Sequence, residues 1–284
     1  MIVPAIDAPE ARDLLGSPDL IALGVRADEV RRALHGARTT FVRVLELHAD
    51  AIPPARPHPL SAGEIRIVGR PPSIDAAVQA TRAVAAMAGR IPVTGFSLRS
   101  LRDIAGASLS DACARLADAG LAALAEVQVD ALQPDDEDAI AAARARGLAV
   151  TRLTVRELAD ADRLDTVLRA RDLQEAVGGF RLFAPLPRTF SAAAPSTGYD
   201  DVKLVAIARL MAVGIASIQV DWPLYGPKLA QFALTVGADD VDGIAAVESG
   251  ALGTRRSAIE EIRSNIRAAA LDPVERDARY EDIG

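Results

Sequence analysis

Thiols are all but missing from this 284-residue chain: Cys113 is the single cysteine, so no internal disulfide can form and a framework of oxidised bridges is excluded. Lysine is almost as scarce, with Lys203 and Lys228 standing among basic residues that are otherwise arginine. A genome-wide habit explains most of that usage, yet the two ammonium groups that remain mark positions where a guanidinium need not serve. Three histidines, His35, His48 and His58, leave little material for a metal centre. Apolar runs stay short of the roughly 18 residues that argue for a membrane span. The opening MIVPAIDAPEARDLLG has no basic region followed by an apolar one, so it does not read as a secretory signal, and the expected compartment is the cytoplasm. A net charge of -7 speaks against nucleic acid, whose phosphates need a surplus of Lys and Arg. The GxSxG, GxxxxGK[ST], HExxH and paired CxxC motifs are all absent.

What is present is half hydrophobic and strongly periodic. Ala27 to His35 carries apolar residues at helical spacing before Gly36, TTFVRVLEL reads as a strand, and EIRIV (Glu64 to Val68) alternates as a second. Ile74 to Met87 is an alanine-rich helix closed by Gly89. Further strands fall near 91–96, 121–129, 148–154, 180–184, 215–221 and 241–247, with helices near 108–119, 135–146, 157–177, 199–213, 227–236 and 254–270. Eight strands at βα spacing predict a parallel sheet, most economically a (β/α) barrel or a partial one. The organisation expected is an N-terminal helical segment over 1–40, a barrel core over 41–250 and a C-terminal helix and tail over 251–284, in one domain.

One interval breaks the rhythm. HADAIPPARPHPLSAG, between the first two strands, contains Pro53, Pro54, Pro57 and Pro59, which remove backbone donors and forbid helical dihedrals, so no crossover helix fits there. The unit is either a bare loop crossing or an open seam. His48, Asp50 and His58 in it could form a cluster at the mouth, although solvated loop side chains are the simpler reading. Cys113 lies on the apolar stripe of a helix with Leu109, Ala112 and Leu116, as a buried structural thiol would. Gly178 and Gly179 most simply cap the preceding helix. In IQVDWPLYGPK, the strand delivers Asp221 and Trp222 to its end, with Tyr225, Gly226 and Lys228 at a helix start and Pro227 at its first position. A carboxylate, an aromatic and an ammonium at a mouth suit a polar aromatic or anionic ligand, though Trp222 also suits the core.

GPKLAQFALTVGADDVDG (Gly226 to Gly243) resembles the signature near the end of the radical S-adenosylmethionine enzymes of futalosine-dependent menaquinone synthesis. That family includes aminofutalosine synthase and the cyclic dehypoxanthine futalosine synthase, with deazaflavin-precursor synthases as more distant relatives. SPDLIALGVRADEVRRALHG, GEIRIVG, GGFRLFAPL, DDVKLVAIARLM and PVERDARY resemble further family segments in the same order, and the Glu-Arg-Asp form of the last leans towards aminofutalosine synthase. The resemblance implies a radical-SAM barrel. It also implies a [4Fe-4S] cluster held by a CxxxCxxC loop after the first strand, where S-adenosylmethionine is reductively cleaved. Here that stretch, Leu45 to Ala62, has no cysteine, is shorter than the family's loop and lacks the helix that follows it. Arg70 stands after Gly69 where the family has a second glycine, Leu121 to Arg146 has no glycine, and RLTVRELAD replaces a histidine and acidic motif.

The expected protein is therefore a divergent, radical-SAM-like relative of aminofutalosine synthase with no cofactor. It is associated with menaquinone biosynthesis as a partner, a regulator or a ligand binder. A cluster-independent enzyme using Asp221, Tyr225, Lys228 and His48 is the alternative, and a still-active synthase a third reading. Family retention nominates Phe180, Asp221, Trp222, Lys228, Asp239 and Arg276 as ligand contacts, with no metal ligands and no catalytic residue firmly assigned. The missing helix is expected to bare apolar barrel wall. From this follows the expectation of a dimer, of two copies or with a cysteine-complete homologue.

Overall fold

The structure, a computed structural model, describes residues 5–54, 61–105, 108–158, 163–189, 197–246 and 259–283. Two helices come first, α1 (Ala8–Gly16) and α2 (Leu20–His35), capped by Asp7 and Asp19 through hydrogen bonds from Glu10 N–H and Ala22 N–H. Strand and helix then alternate: β1 (Arg38–His48), β2 (Glu64–Val68), α3 (Ile74–Ala88), β3 (Val93–Ser97), α4 (Leu98–Ala105), α5 (Leu109–Asp118), β4 (Ala123–Gln128) and α6 (Asp136–Ala145). The second half continues with β5 (Arg152–Val155), α7 (Arg163–Val177), β6 (Leu182–Pro187), α8 (Gly198–Met211), β7 (Ser217–Asp221), α9 (Trp222–Leu234), β8 (Asp240–Ala245), α10 (Ile259–Ala268) and β9 (Asp272–Glu275).

Strands β1 to β8 pair in sequence order, each parallel to the next, and β8 returns to β1, which closes the barrel. The expected barrel is thus a complete one. Among the described residues no helix lies between β1 and β2, as the prolines require. Instead β1 shares one edge between two partners. Its upper half, Val44 to His48, pairs with β2, and its lower half, Arg38 to Phe41, pairs with β9. The tail therefore fills the space beneath β2 that a longer second strand would occupy. Gly63 sits at the junction: a Cβ there would meet Arg276 O at 2.4 Å, so only glycine lets the two segments pass.

The barrel wall near the helix-free crossing is largely covered. Phe41 and Leu47 on β1 and Ile65 on β2 are buried, and the Arg263 guanidinium of α10 lies 5.8 Å from the Phe41 ring centre. A broad bare apolar wall is therefore not found among the described residues. Helix α8 is buried along Asp201 to Met211 because α1, α2, α7 and α9 pack round it. Lys203, one of the two lysines, donates from Nζ to Leu15 O at 2.8 Å and to Ser17 O, closing the C-terminal end of α1. Gly178 and Gly179 both have positive φ, 65° and 71°, directly after α7, as a helix-ending pair should. Helix α9 has a non-helical residue at Gly226 (φ 78°), so Pro227 opens its longer second part.

Candidate functional site at the barrel mouth

Barrel interiors are ordinarily filled with branched aliphatic side chains. This one holds a column of charge. On β2, Glu64 and Arg66 lie two apart, hence on one face, and the barrel's curvature turns that face inward. Arg66 grips Glu64 with Nε at 2.7 Å and Nη2 at 3.0 Å, and reaches Asp242 of β8 at 2.9 and 3.2 Å. Arg152 of β5 also pairs with Asp242 and donates to Gln219 Oε1 at 2.6 Å. Arg188, one residue past β6, sits less tightly among three carboxylates: Glu126 at 3.4 Å, Asp221 at 3.3 Å and Asp242 at 3.4 Å. Asp242, with a fully buried side chain, is the hub of all three guanidiniums.

Protonation follows from these distances. Burial alone would raise the Asp242 carboxyl, but the charges of Arg152, Arg66 and Arg188 outweigh it and hold the group well below the usual carboxylate range. Glu64 is likewise lowered, with burial opposed by the charge and hydrogen bonds of Arg66. Asp221 goes the other way, raised by burial and by the nearby charge of Asp242, with Arg188 offsetting only part.

Above this lattice lies a cavity of about 300 Å³, lined by Glu46, Arg66, Phe96, Ser97, Glu126, Arg152 and Arg188 among others. Its size is at the lower end for small-molecule sites. Two local features mark it. The Nε–H of buried Arg152 has no acceptor among the described residues, and Phe96, buried at the end of β3, holds φ at 60°, a backbone state that bulky residues rarely adopt. The Glu46 carboxylate is half exposed at the rim, 3.9 Å from Arg66. The site therefore offers an orphaned donor, exposed carboxylate oxygens and an aromatic wall to one compact polar ligand.

Of the residues nominated from sequence, Asp221 reaches this site, through Arg188. Its Oδ1 also accepts the Leu224 N–H at 2.9 Å and caps α9. Trp222 is packed in the core. Tyr225 donates its hydroxyl to Pro187 O at 2.6 Å, and burial pushes that phenol up. Lys228 is exposed on α9 and does not line the cavity. Phe180 precedes β6, its ring 4.9 Å from the Arg144 guanidinium, and Asp239 precedes β8, bound to Arg209 and to the Ile218 N–H at 2.8 Å. Arg276 lies at the opposite end of the barrel, bidentate to Asp240 at 2.5 and 2.7 Å, with the Tyr280 ring 4.5 Å away. Phe180, Asp239 and Arg276 thus belong to the floor and do not meet Asp221. His48, the last residue of β1, and Asp50 just after it are exposed, and His58 lies outside the described residues. Glu46, Arg66, Glu126, Arg152, Arg188 and Asp242 were missed. The available signal was charge inside strands that had to be buried on both faces, at alternate positions in β2 (Glu64, Arg66) and β8 (Asp240, Asp242).

Residues 186–283 match the C-terminal region of the CofH/MqnC family. The chain is 34% identical over 140 residues to aminodeoxyfutalosine synthase of Streptomyces coelicolor, covering 42% of this chain and 36% of that protein. It is 34% identical over 136 residues to the synthase of Thermus thermophilus, covering 43% and 37%. In sequence, the C-terminal third of this chain is CofH/MqnC-like. A second group of relatives includes the 5-amino-6-(D-ribitylamino)uracil–L-tyrosine 4-hydroxyphenyl transferase of Methanococcoides burtonii, 37% identical over 139 residues, covering 43% of this chain and 39% of that one. The chain spans under two fifths of the length of these curated relatives. In fold the CofH/MqnC-like chain matches methylornithine synthase with a TM-score of 0.67 at 14% identity, covering 95% and 94% of the two chains. It matches the FeFe-hydrogenase maturase HydG of Carboxydothermus hydrogenoformans with 0.64 at 15%, covering 95% and 76%.

The iron-sulfur cluster that this fold family implies does not fit the residues present. Cys113 is the one thiol in the chain, and it lies on α5, outside the barrel, fully buried, with its thiol pushed up to about 11 by burial. A cubane needs several thiolates on one short loop, and a thiol so raised is a poor ligand. Among the described residues no group of three His, Cys, Asp or Glu side chains is placed to hold a metal ion.

Proposed function

We propose that this CofH/MqnC-like chain binds one small polar molecule of the kind its relatives process, in the mouth cavity. In this reading it works beside a futalosine-type menaquinone route as a partner or regulator, without radical chemistry of its own. The observation that carries the reading is the buried Arg152 Nε–H, which has no acceptor among the described residues at the edge of a cavity of about 300 Å³. An orphaned buried donor costs about 1–3 kcal/mol, which a ligand oxygen would recover. Relationship to aminodeoxyfutalosine synthases and to a ribitylaminouracil–tyrosine transferase supplies the candidate chemistry: nucleosides, pyrimidines, and amino or aromatic acids. Association with a second copy or with a cysteine-bearing homologue belongs to the same proposal.

The test is a thermal-shift and calorimetric screen with tyrosine, 5-amino-6-ribitylaminouracil, aminofutalosine and 3-substituted benzoates. A genuine ligand at about 100 times its Kd adds about 2.7 kcal/mol of stability, which moves Tm by several degrees. The same compound is expected to lose at least tenfold in affinity on Arg188→Gln or Ser97→Ala, both at the cavity lining. No binding by any compound at millimolar concentration would remove the proposal.

A further inference from the structure

In an iron-sulfur barrel the connection after the first strand must deliver thiolates and leave space above the strand ends for the cube they hold. Here the connection holds no cysteine. Directly after β1 it turns back onto β2: Ala49 N–H donates to Val68 O at 2.9 Å, and Ala51 N–H to His48 O at 3.0 Å. The ends of the two strands lie side by side, where a Cβ on Gly69 would make an ordinary contact with His48 Nδ1 at 3.4 Å. Arg70, next along, turns out to pair with Asp103 at 2.7 Å on the surface. Below the rim, Arg66 and Arg152 are committed to Glu64 and Asp242, and Arg188 faces Asp242, Glu126 and Asp221, so each guanidinium already has carboxylate partners without an added metal.

We infer that this barrel has exchanged a removable, oxygen-sensitive group for a permanent lattice of arginine and carboxylate. The fold and the mouth are complete without iron, and the cavity takes a single occupant instead of a cofactor together with a substrate. The iron part of this inference stands apart from the proposed function, and only the single-occupant part rests on reading the mouth as a ligand site.

The experiment is anaerobic reconstitution of the full chain with ferrous iron, sulfide and thiol reductant, followed by desalting, iron and sulfide analysis, a visible spectrum and thermal denaturation. Expected are a colourless protein, substoichiometric iron, and a Tm unchanged by reconstitution, by chelator or by exposure to air, because a structural metal would make folding depend on it. A stoichiometric cluster with visible charge-transfer absorbance that survives desalting would overturn the inference, whether or not Cys113→Ala abolishes it. Failure of the ligand screen in a cluster-free protein would instead sink the proposed function and leave the iron part standing. For occupancy, calorimetric titration of any ligand that the screen finds is expected to saturate at one molecule per chain. Two molecules bound together in the mouth would overturn that part.

Discussion

Asp242 carries more of the buried charge than any neighbour, since Arg66, Arg152 and Arg188 all lean on it. Asp242→Asn would leave guanidiniums buried without their counter-ion, and the expected cost is about 3–5 kcal/mol in urea denaturation at neutral pH. The pH dependence has two opposite parts. Asp242 and Glu64 have lowered folded values, so their contribution is present above the ordinary carboxylate range, roughly pH 4, and is lost as pH falls through their folded values. Asp221 has a raised folded value, so its contribution is present below that range and is lost as pH rises through the raised value. Acid unfolding of the parent is therefore expected to begin below about pH 4. Asp221→Asn, which keeps a side chain able to cap α9, should be at least as stable as the parent at pH 7 in thermal denaturation. The same residue-level logic answers the lysine question: Lys203 caps carbonyls in a buried niche, whereas Lys228 stands in solvent.

At the level of elements the sequence was a good guide to the barrel and a poor one to its closure. All eight barrel strands were legible because β-branched runs between Gly-ended helices leave few other assignments, and the proline-rich interval was legible as a crossing without a helix. Helix α1 was read only as part of the helical segment over 1–40, and three further elements were missed or misplaced. Helix α4 follows β3 without a gap, through a turn in which Ser97 and Ser100 cap one another's backbone N–H groups, so no loop announces it. Helix α2 starts at Leu20, well before Ala27. Gly24 inside it reads as a weak helical residue, but a Cβ there would meet Val236 Cγ1 at 2.8 Å, so packing against the end of α9 selects glycine. Strand β9 is four residues long with a proline in it, and only its pairing with β1 makes it a strand. The mouth was illegible for a related reason: alternation in EIRIV shows that a strand has two faces but not which face is inside. Gly63→Ala tests the junction of β2 with the tail. Overpacking there is expected to cost about 1–3 kcal/mol, measured by chemical denaturation, with no change in the mouth's ligand affinity.

Over the whole molecule the net charge is -7, and among the described residues the interior too holds more buried carboxylates than buried arginines, the arginines Arg66, Arg152 and Arg276 each being paired with a carboxylate. No helix among the described residues is long and apolar enough to cross a membrane. Cys113, fully buried on α5, provides a built-in probe of global opening. Labelling by a thiol reagent should be negligible in native buffer and rise in step with loss of circular dichroism as denaturant is added. Appreciable labelling of the native protein would show that α5 opens on its own. The edge of β1 that is split between β2 and β9 has a further consequence for how the chain reaches this state. One half of that edge is met by the nearby β2 and the other only by Asp272–Glu275, so the edge is completed by a pairing between segments far apart in sequence. A nascent chain would carry an open, half-satisfied strand edge until Asp272–Glu275 has been made, the interval in which a chaperone or an identical strand from a neighbour has its opportunity.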